Sequence, residues 1–341
     1  MRLPLPAAVV AAVVAASALA LPAAADPGPD RSARDEAAPV ATIGFIDARS
    51  DRPLNLVFKY WRDVHGVLAT RIDGIWQYWQ HHLAAPDPTL WPAMSGVERS
   101  VPNDLVLEGF AEVTFRDAAT RRGMGGDPAA RQIQRDEQNV FRGTYLHNTA
   151  EGDSVTLLDR RASNAPQGDD PHYRAIVLLR KATDVGADRF TTYLADRLGP
   201  ALAAGADVLK VRYHRFLPYD GTAWDTPGVD NTLAEGEAYQ GWLELVYPDR
   251  QRAAAALRSA PVAGVLETAP KVISAAHTYP VAQVWTPLID GRPTHIGLRG
   301  YETWKTIERV GAQNQKGAEV LDLLYSPRTK LPAGAARGGD E

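Results

Sequence analysis

Cysteine is absent from this sequence of 341 residues. The chain therefore has no disulfide, no thiol nucleophile and no thiolate ligand for a metal, and its folding must rest on the burial of apolar side chains. Hydrophobic residues make up 45% of the sequence, which is enough for a core in a chain of this length. The H-E-x-x-H, G-x-S-x-G and P-loop motifs are also missing. Nothing in the sequence thus supports a zinc protease, an α/β-hydrolase or a nucleotide hydrolase.

Charge is almost absent from the first 25 residues, which contain only Arg2. An apolar run from Leu3 to Leu21 and the small residues of Pro22–Ala25 follow it, and this pattern predicts a secretory signal peptide over 1–25. The alternative is an uncleaved membrane anchor, which the prolines in the run and the cleavage site disfavour. The predicted location is therefore secreted, in the periplasm or outside the cell, with no membrane contact after the signal is removed.

The remaining sequence is mildly acidic. Removing Arg2 takes the formal net charge from −4 to −5, so no nucleic-acid partner is expected. Residues 26–39 are rich in proline, alanine and charge and are predicted to form a flexible, disordered arm. The segment 291–325 is predicted to be a C-terminal helical brace, and 326–341 a flexible tail.

Two parts of the chain repeat each other at a spacing of 132 or 133 positions. At the larger spacing the residues that coincide are Tyr60, Asp63 and Gly66 with Tyr193, Asp196 and Gly199, and at the smaller one Gly109–Phe115 with Gly241–Tyr247. Apolar periodicity gives the order strand, helix, strand, strand, helix, strand to residues 40–160 and again to 172–290. This is the ferredoxin-like βαββαβ order, which leaves one face of an antiparallel sheet bare.

The bare face of each sheet is covered most simply by the sheet of the other half. The sequence therefore predicts an α+β fold in which two tandem ferredoxin-like repeats form a barrel-like sandwich of two sheets within one chain, followed by a helical extension. Because this pairing takes place inside a single chain, we expect a monomer.

The segment Lys59–Gly66 (KYWRDVHG), followed by Gly74–Leu83 (GIWQYWQHHL), resembles the EthD family of the dimeric α+β barrel superfamily. In that family a helix with the pattern Y/F-W-R-x-V-H-x-P leads through a glycine turn into a strand that ends in a histidine or asparagine pair. Val67 stands here where proline is usual. The resemblance covers about 40–150 and is weaker over 172–290.

The resemblance implies a broad range of chemistry rather than one reaction. Relatives in the superfamily include cofactor-free monooxygenases, muconolactone isomerases, polyketide cyclases or decarboxylases, and haem-binding enzymes, and EthD members are usually described as oxidoreductase-associated. The G-x-x-D-G signature of dye-decolourising peroxidases is missing from this sequence, which argues against a haem peroxidase.

His65 is the first candidate catalytic residue. It lies on the apolar stripe of the predicted helix 54–70, where a lone histidine is more often a satisfied core residue. The corresponding position of the second half is Leu198, so packing alone accepts leucine there, and a buried histidine costs desolvation unless it has a partner. A neutral buried imidazole can take a proton from a carbon acid or a phenol. Muconolactone isomerases, by the resemblance, carry a histidine at the matching helix position.

Aromatic residues are concentrated around His65. A substrate pocket between helix and sheet is predicted to be lined by Tyr60, Trp61, Trp76, Tyr78 and Trp79. The alternative is that these side chains only fill the core.

A second candidate site follows from the alternation of side chains along strands. The residues predicted to face the space between the sheets are His81, Glu112, His214 and Glu244, with Lys210 and Arg212. Two histidines and two carboxylates can bind a divalent metal or act as an acid–base pair. The favoured alternative is an ion-pair network between the sheets, so no metal is predicted, and the strand register decides the outcome. His81, Glu112 and His214 stay candidates for catalysis beside His65.

These observations predict a cofactor-independent enzyme that acts on small aromatic or polyketide-like molecules, and the resemblance implies that it is an oxidoreductase of the monooxygenase type. His65 is its predicted proton-transfer group. One alternative is an isomerase, cyclase or decarboxylase that uses the same base without oxygen. The other is a non-catalytic protein that binds a small molecule or haem.

Overall fold

The computed structural model describes residues 28–234 and 236–325. The predicted signal peptide at 1–25 and the predicted tail at 326–341 lie outside these residues and stay predictions. In the part of the chain that is described, no helix is both long enough and apolar enough to cross a membrane.

Eight of the ten strands in the described residues close into one antiparallel barrel. The strands are β1 (Val40–Ala48), β2 (Ile75–Leu83), β3 (Gly109–Phe115), β4 (Phe141–Asp159), β5 (Gln167–Gly168), β6 (Tyr173–Lys181), β7 (Lys210–Phe216), β8 (Gly241–Tyr247), β9 (Ile273–Ile289) and β10 (Arg292–Pro293). The order around the barrel is β9-β2-β3-β1-β4-β7-β8-β6, and β6 pairs with β9 to close it. The short β5 and β10 also pair with β9. The predicted α+β barrel is therefore confirmed.

Two long strands take part in both halves of the barrel. β4 pairs with β1 near its start and with β7 near its end, and β9 pairs with β6 and then with β2. The sequence predicts shorter strands here, 143–148 and 271–279. Both strands continue because apolar side chains such as Leu158 and Trp285 are buried further along them.

The inside of the barrel is apolar at one end and charged at the other. Phe45 and Phe110 face each other on paired strands, with Trp242 and Tyr279 in the same apolar cluster. Two residues further along β3 and β8 the inward side chains are Glu112 and Glu244, both fully buried. Since alternate residues of a strand share a face, the change from apolar to charged takes place along the barrel axis.

Helices cover the outside of the barrel. In the described residues they are α1 (Leu54–Tyr60, Trp61–His65 and Gly66–Ala69), α2 (Ala118–Gly123), α3 (Pro128–Glu137), α4 (Ala187–Thr192, Tyr193–Leu198 and Gly199–Ala203), α5 (Arg250–Ala256), α6 (Ala260–Leu266), α7 (His295–Arg299), α8 (Tyr301–Val310) and α9 (Ala318–Tyr325). At the start of α3 the Asp127 carboxylate accepts hydrogen bonds from the backbone N–H groups of Ala129 and Ala130. Pro128 follows at the first helical position, so this N-terminus is well specified by the sequence.

A π-helical turn interrupts each of the two long helices. It spans Trp61–His65 in α1 and Tyr193–Leu198 in α4. Such a turn inserts an extra residue and rotates the positions that follow it. The three- and four-residue spacing of apolar side chains in 54–70 predicts that Val64 is buried, but after this rotation it is 48% exposed. His65 is buried as predicted, with 5% of its surface exposed.

Residues 28–39 lie against the barrel, so the predicted flexible arm is wrong for them. Ser32–Asp35 forms a short 3-10 helix. The buried Asp35 carboxylate accepts hydrogen bonds from Gln77 Nε2 at 3.1 Å and from Thr156 Oγ1 at 2.7 Å. Burial raises the pKa of Asp35, but nearby Arg212 and Lys210 more than offset this and hold it below its ordinary value. The partners are far away in the sequence, so local composition did not reveal them.

We expect Asp35→Ala to release this segment from the barrel, because its side chain makes the buried contacts that fix it. Trypsin should then cleave after Arg31 and Arg34 several times faster than in the wild type. The exposed neighbour Glu36 provides the matched control, and Glu36→Ala should be cleaved at the wild-type rate. Equal cleavage of the two variants would contradict the assignment.

The C-terminal helices pack beside α1, in the segment predicted to be a brace. The backbone N–H of Tyr301 donates to Asp63 Oδ1 at 2.7 Å. The Arg62 guanidinium lies 4.5 Å from the centre of the Tyr301 ring and 4.6 Å from that of Trp285. These contacts hold the outer side of α1, and its inner side is left to face the sheet.

Candidate active site

A cavity lies on the outer face of the barrel, beneath α1 and α3. It contains about 560 Å³ of empty space, its mouth included. Its apolar wall includes Ile46, Trp61, Ile72, Val113, Ile133 and Phe141. Its polar side chains are Thr42, His65, Tyr78, Glu137 and Thr144. A largely apolar cavity with a few converging polar groups is the usual form of a small-molecule site.

His65 reaches this cavity from the π-helical turn of α1. Its Nδ1 lies 2.9 Å from Asp136 Oδ2, and the other carboxylate oxygen accepts a hydrogen bond from the Tyr60 hydroxyl at 2.6 Å. Burial raises the pKa of Asp136, but the hydrogen bonds from His65 and Tyr60 outweigh this and lower it. An ionised Asp136 keeps the proton on Nδ1, so the unprotonated Nε2 of neutral His65 is the atom that can accept a proton.

Tyr78 presents a hydroxyl to the same cavity from β2. Its oxygen accepts hydrogen bonds from Trp61 Nε1 at 3.1 Å and from Gln80 Nε2 at 2.9 Å. Burial raises the pKa of Tyr78 above its ordinary value, so the phenol stays protonated. Because two donors already occupy its oxygen, the Tyr78 hydroxyl hydrogen is free to be donated.

Glu137 is the third polar group of the cavity, and it was not predicted from the sequence. Its carboxyl group accepts hydrogen bonds from Trp224 Nε1 at 3.0 Å and from Thr226 Oγ1 at 2.8 Å. Burial raises the pKa of Glu137 to about 7, although His65 and the hydrogen bonds from Thr226 and Trp224 oppose the shift. Trp224 itself belongs to the cavity wall. The loop between β7 and β8 therefore completes a site that otherwise belongs to the first half.

The five predicted substrate-binding aromatics separate into different places. Trp61 and Tyr78 line the cavity, so their role in substrate binding stays a prediction, whereas the Tyr60 hydroxyl donates to Asp136. The prediction is wrong for Trp76, which lies at the strand end under the Arg116 guanidinium, 4.1 Å from the ring centre. It is also wrong for Trp79, which points inside the barrel, where its Nε1 donates to the Asn164 carbonyl. Trp79 is one residue from Tyr78, and side chains alternate across a strand.

The second predicted cluster does form inside the barrel. Glu112 Oε2 lies 3.0 Å from His81 Nε2, and Glu112 Oε1 lies 3.1 Å from His214 Nε2. Arg212 Nε donates to the same carboxylate at 2.7 Å. Glu244 does not join these histidines but pairs with Arg174 and Lys210.

The charges of this cluster are those expected of a buried ion-pair network. Burial would raise the pKa of Glu112, but Arg212 and the two histidines hold it well below its ordinary value. Burial lowers the pKa of His81 and of His214 to about 4, so both are neutral at pH 7. Among the described residues no group of three or more His, Asp or Glu side chains is arranged to hold a metal ion. The geometry supports the sealing role over catalysis for these three residues.

A further buried histidine, His147, should make stability depend on pH. Its ring stacks on Phe45 at 4.0 Å, and burial lowers its pKa to about 4 even though the Tyr145 carbonyl opposes the shift. Because the folded pKa is below the unfolded value of about 6.5, this contribution to stability is present above pH 6.5 and is lost as the pH falls towards 4. The change amounts to about 3 kcal/mol.

We therefore expect the free energy of unfolding to fall less in His147→Phe than in the wild type when the pH is lowered from 6.5 to 4. Urea denaturation across this range measures the difference. The matched control is Phe216, which packs against the His147 ring with the ring centres 4.9 Å apart. Phe216→Leu changes the same packing without removing an ionisable group and should keep the wild-type slope. A His147→Phe slope equal to that of the wild type would refute the assignment.

The structure also shows which signal in the sequence could have identified Glu137. The buried positions of α3 are Ala130, Ile133 and Glu137, which follow the three- and four-residue spacing of a helical stripe. An acidic residue on that stripe marks a buried carboxyl group. No comparable pattern points to Asp136 or to Trp224, because their partners come from other elements.

Comparison with known proteins identifies one domain. Residues 56–143 match the EthD domain model, which confirms the predicted resemblance in the segment that supplies His65, Tyr78, Asp136 and Glu137. No curated protein matches the chain significantly.

Solved structures of low identity resemble the barrel. A "putative monooxygenase" from Lactobacillus acidophilus is 8% identical, with 73% of this chain and 96% of that chain covered and a TM-score of 0.43. One of the same description from Fusobacterium nucleatum is also 8% identical, with 76% and 98% covered and a TM-score of 0.45. An anthrone oxidase-like protein is 12% identical, with 76% and 96% covered and a TM-score of 0.46. These distant likenesses do not bear on the chemistry of the cavity.

Proposed function

We propose that this protein, whose residues 56–143 are an EthD domain, is a cofactor-independent oxidoreductase of the monooxygenase type acting on small aromatic or polyketide-like molecules. The observation that carries the proposal is the pairing of His65 with Asp136 at the wall of an apolar cavity. This arrangement holds the proton on Nδ1 and leaves Nε2 as a base. A positioned base near neutrality typically contributes 10²- to 10⁴-fold to a rate.

The cavity has the groups needed to activate a carbon acid. His65 Nε2 takes a proton from an activated methylene or a phenol, and the Tyr78 hydroxyl donates to the oxygen on which negative charge develops. The resulting anion is electron-rich and is oxidised by dioxygen. For a methylene between two aromatic rings the balance is R₂CH₂ + O₂ → R₂C=O + H₂O, in which the substrate supplies the electrons.

Oxygen uptake with anthrone and with 1-naphthol tests this proposal. Purified protein should consume oxygen faster than buffer alone, with product formed in proportion to the oxygen lost. Turnover that continues at the same rate under argon would instead favour the isomerase, cyclase or decarboxylase alternative. A rise in melting temperature without any turnover would favour a non-catalytic binding protein. Either of these results would overturn the oxygenase proposal.

The non-oxidative alternative has one specific observation in its favour. The cavity contains two groups that can carry a proton, His65 and Glu137, and the pKa of Glu137 is raised by burial to about 7. Two such groups can move a proton from one atom of a substrate to another. The comparison under argon separates this reaction from oxygenation.

We also infer that the two halves arose by duplication within one chain, so that a monomer contains the complete barrel. The strand and helix order of the first half recurs in the second. A π-helical turn is present at corresponding positions of α1 and α4. Export from the cytoplasm is proposed from the sequence of residues 1–25.

A further inference from the structure

Among the residues that the structure describes, the wall of the cavity contains no lysine and no arginine. Its ionisable side chains, within the described residues, are His65, Tyr78 and Glu137. Of these, Glu137 is the carboxyl group and is negatively charged when it ionises, whereas burial raises the pKa of Tyr78 and keeps its phenol neutral. A carboxylate or phosphate on a ligand would therefore meet an acidic residue and no fixed cation.

Glu137 is also prevented from turning away. Trp224 Nε1 donates to both of its oxygens, at 3.0 and 3.1 Å, and Thr226 Oγ1 donates to one of them at 2.8 Å. Only 4% of Glu137 is exposed, so water cannot screen its charge effectively. Two like charges in a buried site repel strongly, and the system responds by protonating one of them or by excluding the ligand.

We propose that Glu137 makes this cavity selective for uncharged, hydroxyl-bearing aromatic ligands and excludes the corresponding carboxylates. The proposal rests on the proposed function only in placing the ligand in this cavity, and it requires no turnover. A phenol-type ligand donates its hydroxyl to His65 Nε2 and accepts from the Tyr78 hydroxyl. A ring of the same size that bears a carboxylate lacks the proton for His65 and adds an anion beside Glu137.

Phenol and benzoate are matched probes, because they share one ring and differ in the charged group. At pH 8, calorimetric titration should show at least tenfold tighter binding of phenol than of benzoate to the wild-type protein. In Glu137→Gln, the affinity for benzoate should increase at least tenfold while that for phenol changes less than threefold. A gain of binding of this kind is not produced by loss of folding.

The matched control disturbs the same hydrogen bonds but retains the carboxyl group. Thr226→Val removes one donor to Glu137, which raises the pKa of Glu137 further but keeps a group that can ionise, so the variant should keep more of the wild-type preference for phenol than Glu137→Gln does. The proposal is overturned if the wild type binds benzoate as tightly as phenol, if it binds neither at millimolar concentration, or if Thr226→Val relaxes the preference as much as Glu137→Gln does. Because these experiments measure affinity and not turnover, they can refute the selectivity of the cavity while the proposed oxygenase activity is confirmed. They can equally support the selectivity when no turnover is found.

Discussion

His65→Leu should lower turnover by at least a hundredfold and leave the protein folded. The rate falls because the variant lacks the imidazole that Asp136 orients as the base, and general-base catalysis typically contributes 10²- to 10⁴-fold. The fold is retained because the corresponding residue of the second half, Leu198, is fully buried in the core. Initial rates of oxygen uptake measure the first effect, and circular dichroism melting curves measure the second.

Two further variants show whether the loss of turnover is specific to His65. His172→Leu removes a partly exposed histidine that is not among the described residues of the cavity wall and should keep the wild-type rate. Asp136→Asn keeps a hydrogen-bond partner for His65 but removes the negative charge, so we expect an intermediate rate and an altered pH profile. If His65→Leu and His172→Leu are equally active, His65 has no part in the reaction.

Glu112→Ala should destabilise the protein by about 3 to 5 kcal/mol, since removing one partner of a buried ion pair leaves an uncompensated charge. The charge left behind is that of Arg212, whose side chain is 0% exposed. Within the described part of the chain, Arg212 retains the Asp35 carboxylate at 3.5 Å and the hydroxyls of Thr156 and Ser154 as partners. Denaturation by urea, followed by circular dichroism, measures the loss.

Two comparisons show whether the effect belongs to the buried network. Asp51→Ala removes an exposed carboxylate that pairs with Arg49 at the surface and should change stability little. The double variant Glu112→Leu with Arg212→Met should recover part of the stability lost by Glu112→Ala, because both charges of this pair are removed together, although the buried Asp35 then loses its contact with Arg212. A Glu112→Ala midpoint equal to that of Asp51→Ala would contradict the network. If His81→Gln lowers turnover but leaves the midpoint of urea denaturation unchanged, the cluster of His81, Glu112 and His214 takes part in catalysis.

Sequence periodicity predicted the faces of the strands well. Alternation placed His81 and Glu112 on one face, and the structure brings them within hydrogen-bond distance of each other. Alternation says which side chains share a face but not which strands are neighbours. Glu244 was therefore expected near the histidines, whereas its position beside β6 gives it Arg174 instead.

The candidate site was only partly predictable, because it is assembled from elements far apart in the chain. His65 was found by comparing the two halves, which required no three-dimensional information. Asp136 and Glu137 come from the end of α3, and Trp224 comes from a loop of the second half. Long-range contacts of polar side chains leave no periodic signal in a sequence. For the same reason the composition of residues 26–39 suggested a flexible arm, although Asp35 within it is buried by distant partners.

The strands β4 and β9, which run through both halves, bear on how this chain folds. Gln80 of β2 pairs with Trp285 of β9, 205 positions later. Closing so long a loop costs entropy before any contact stabilises it, which makes folding slow. Until that closure both halves present unpaired strand edges, and these are sites of intermolecular association. The finished barrel removes this hazard, so the risk of aggregation is confined to the period before the last strands join.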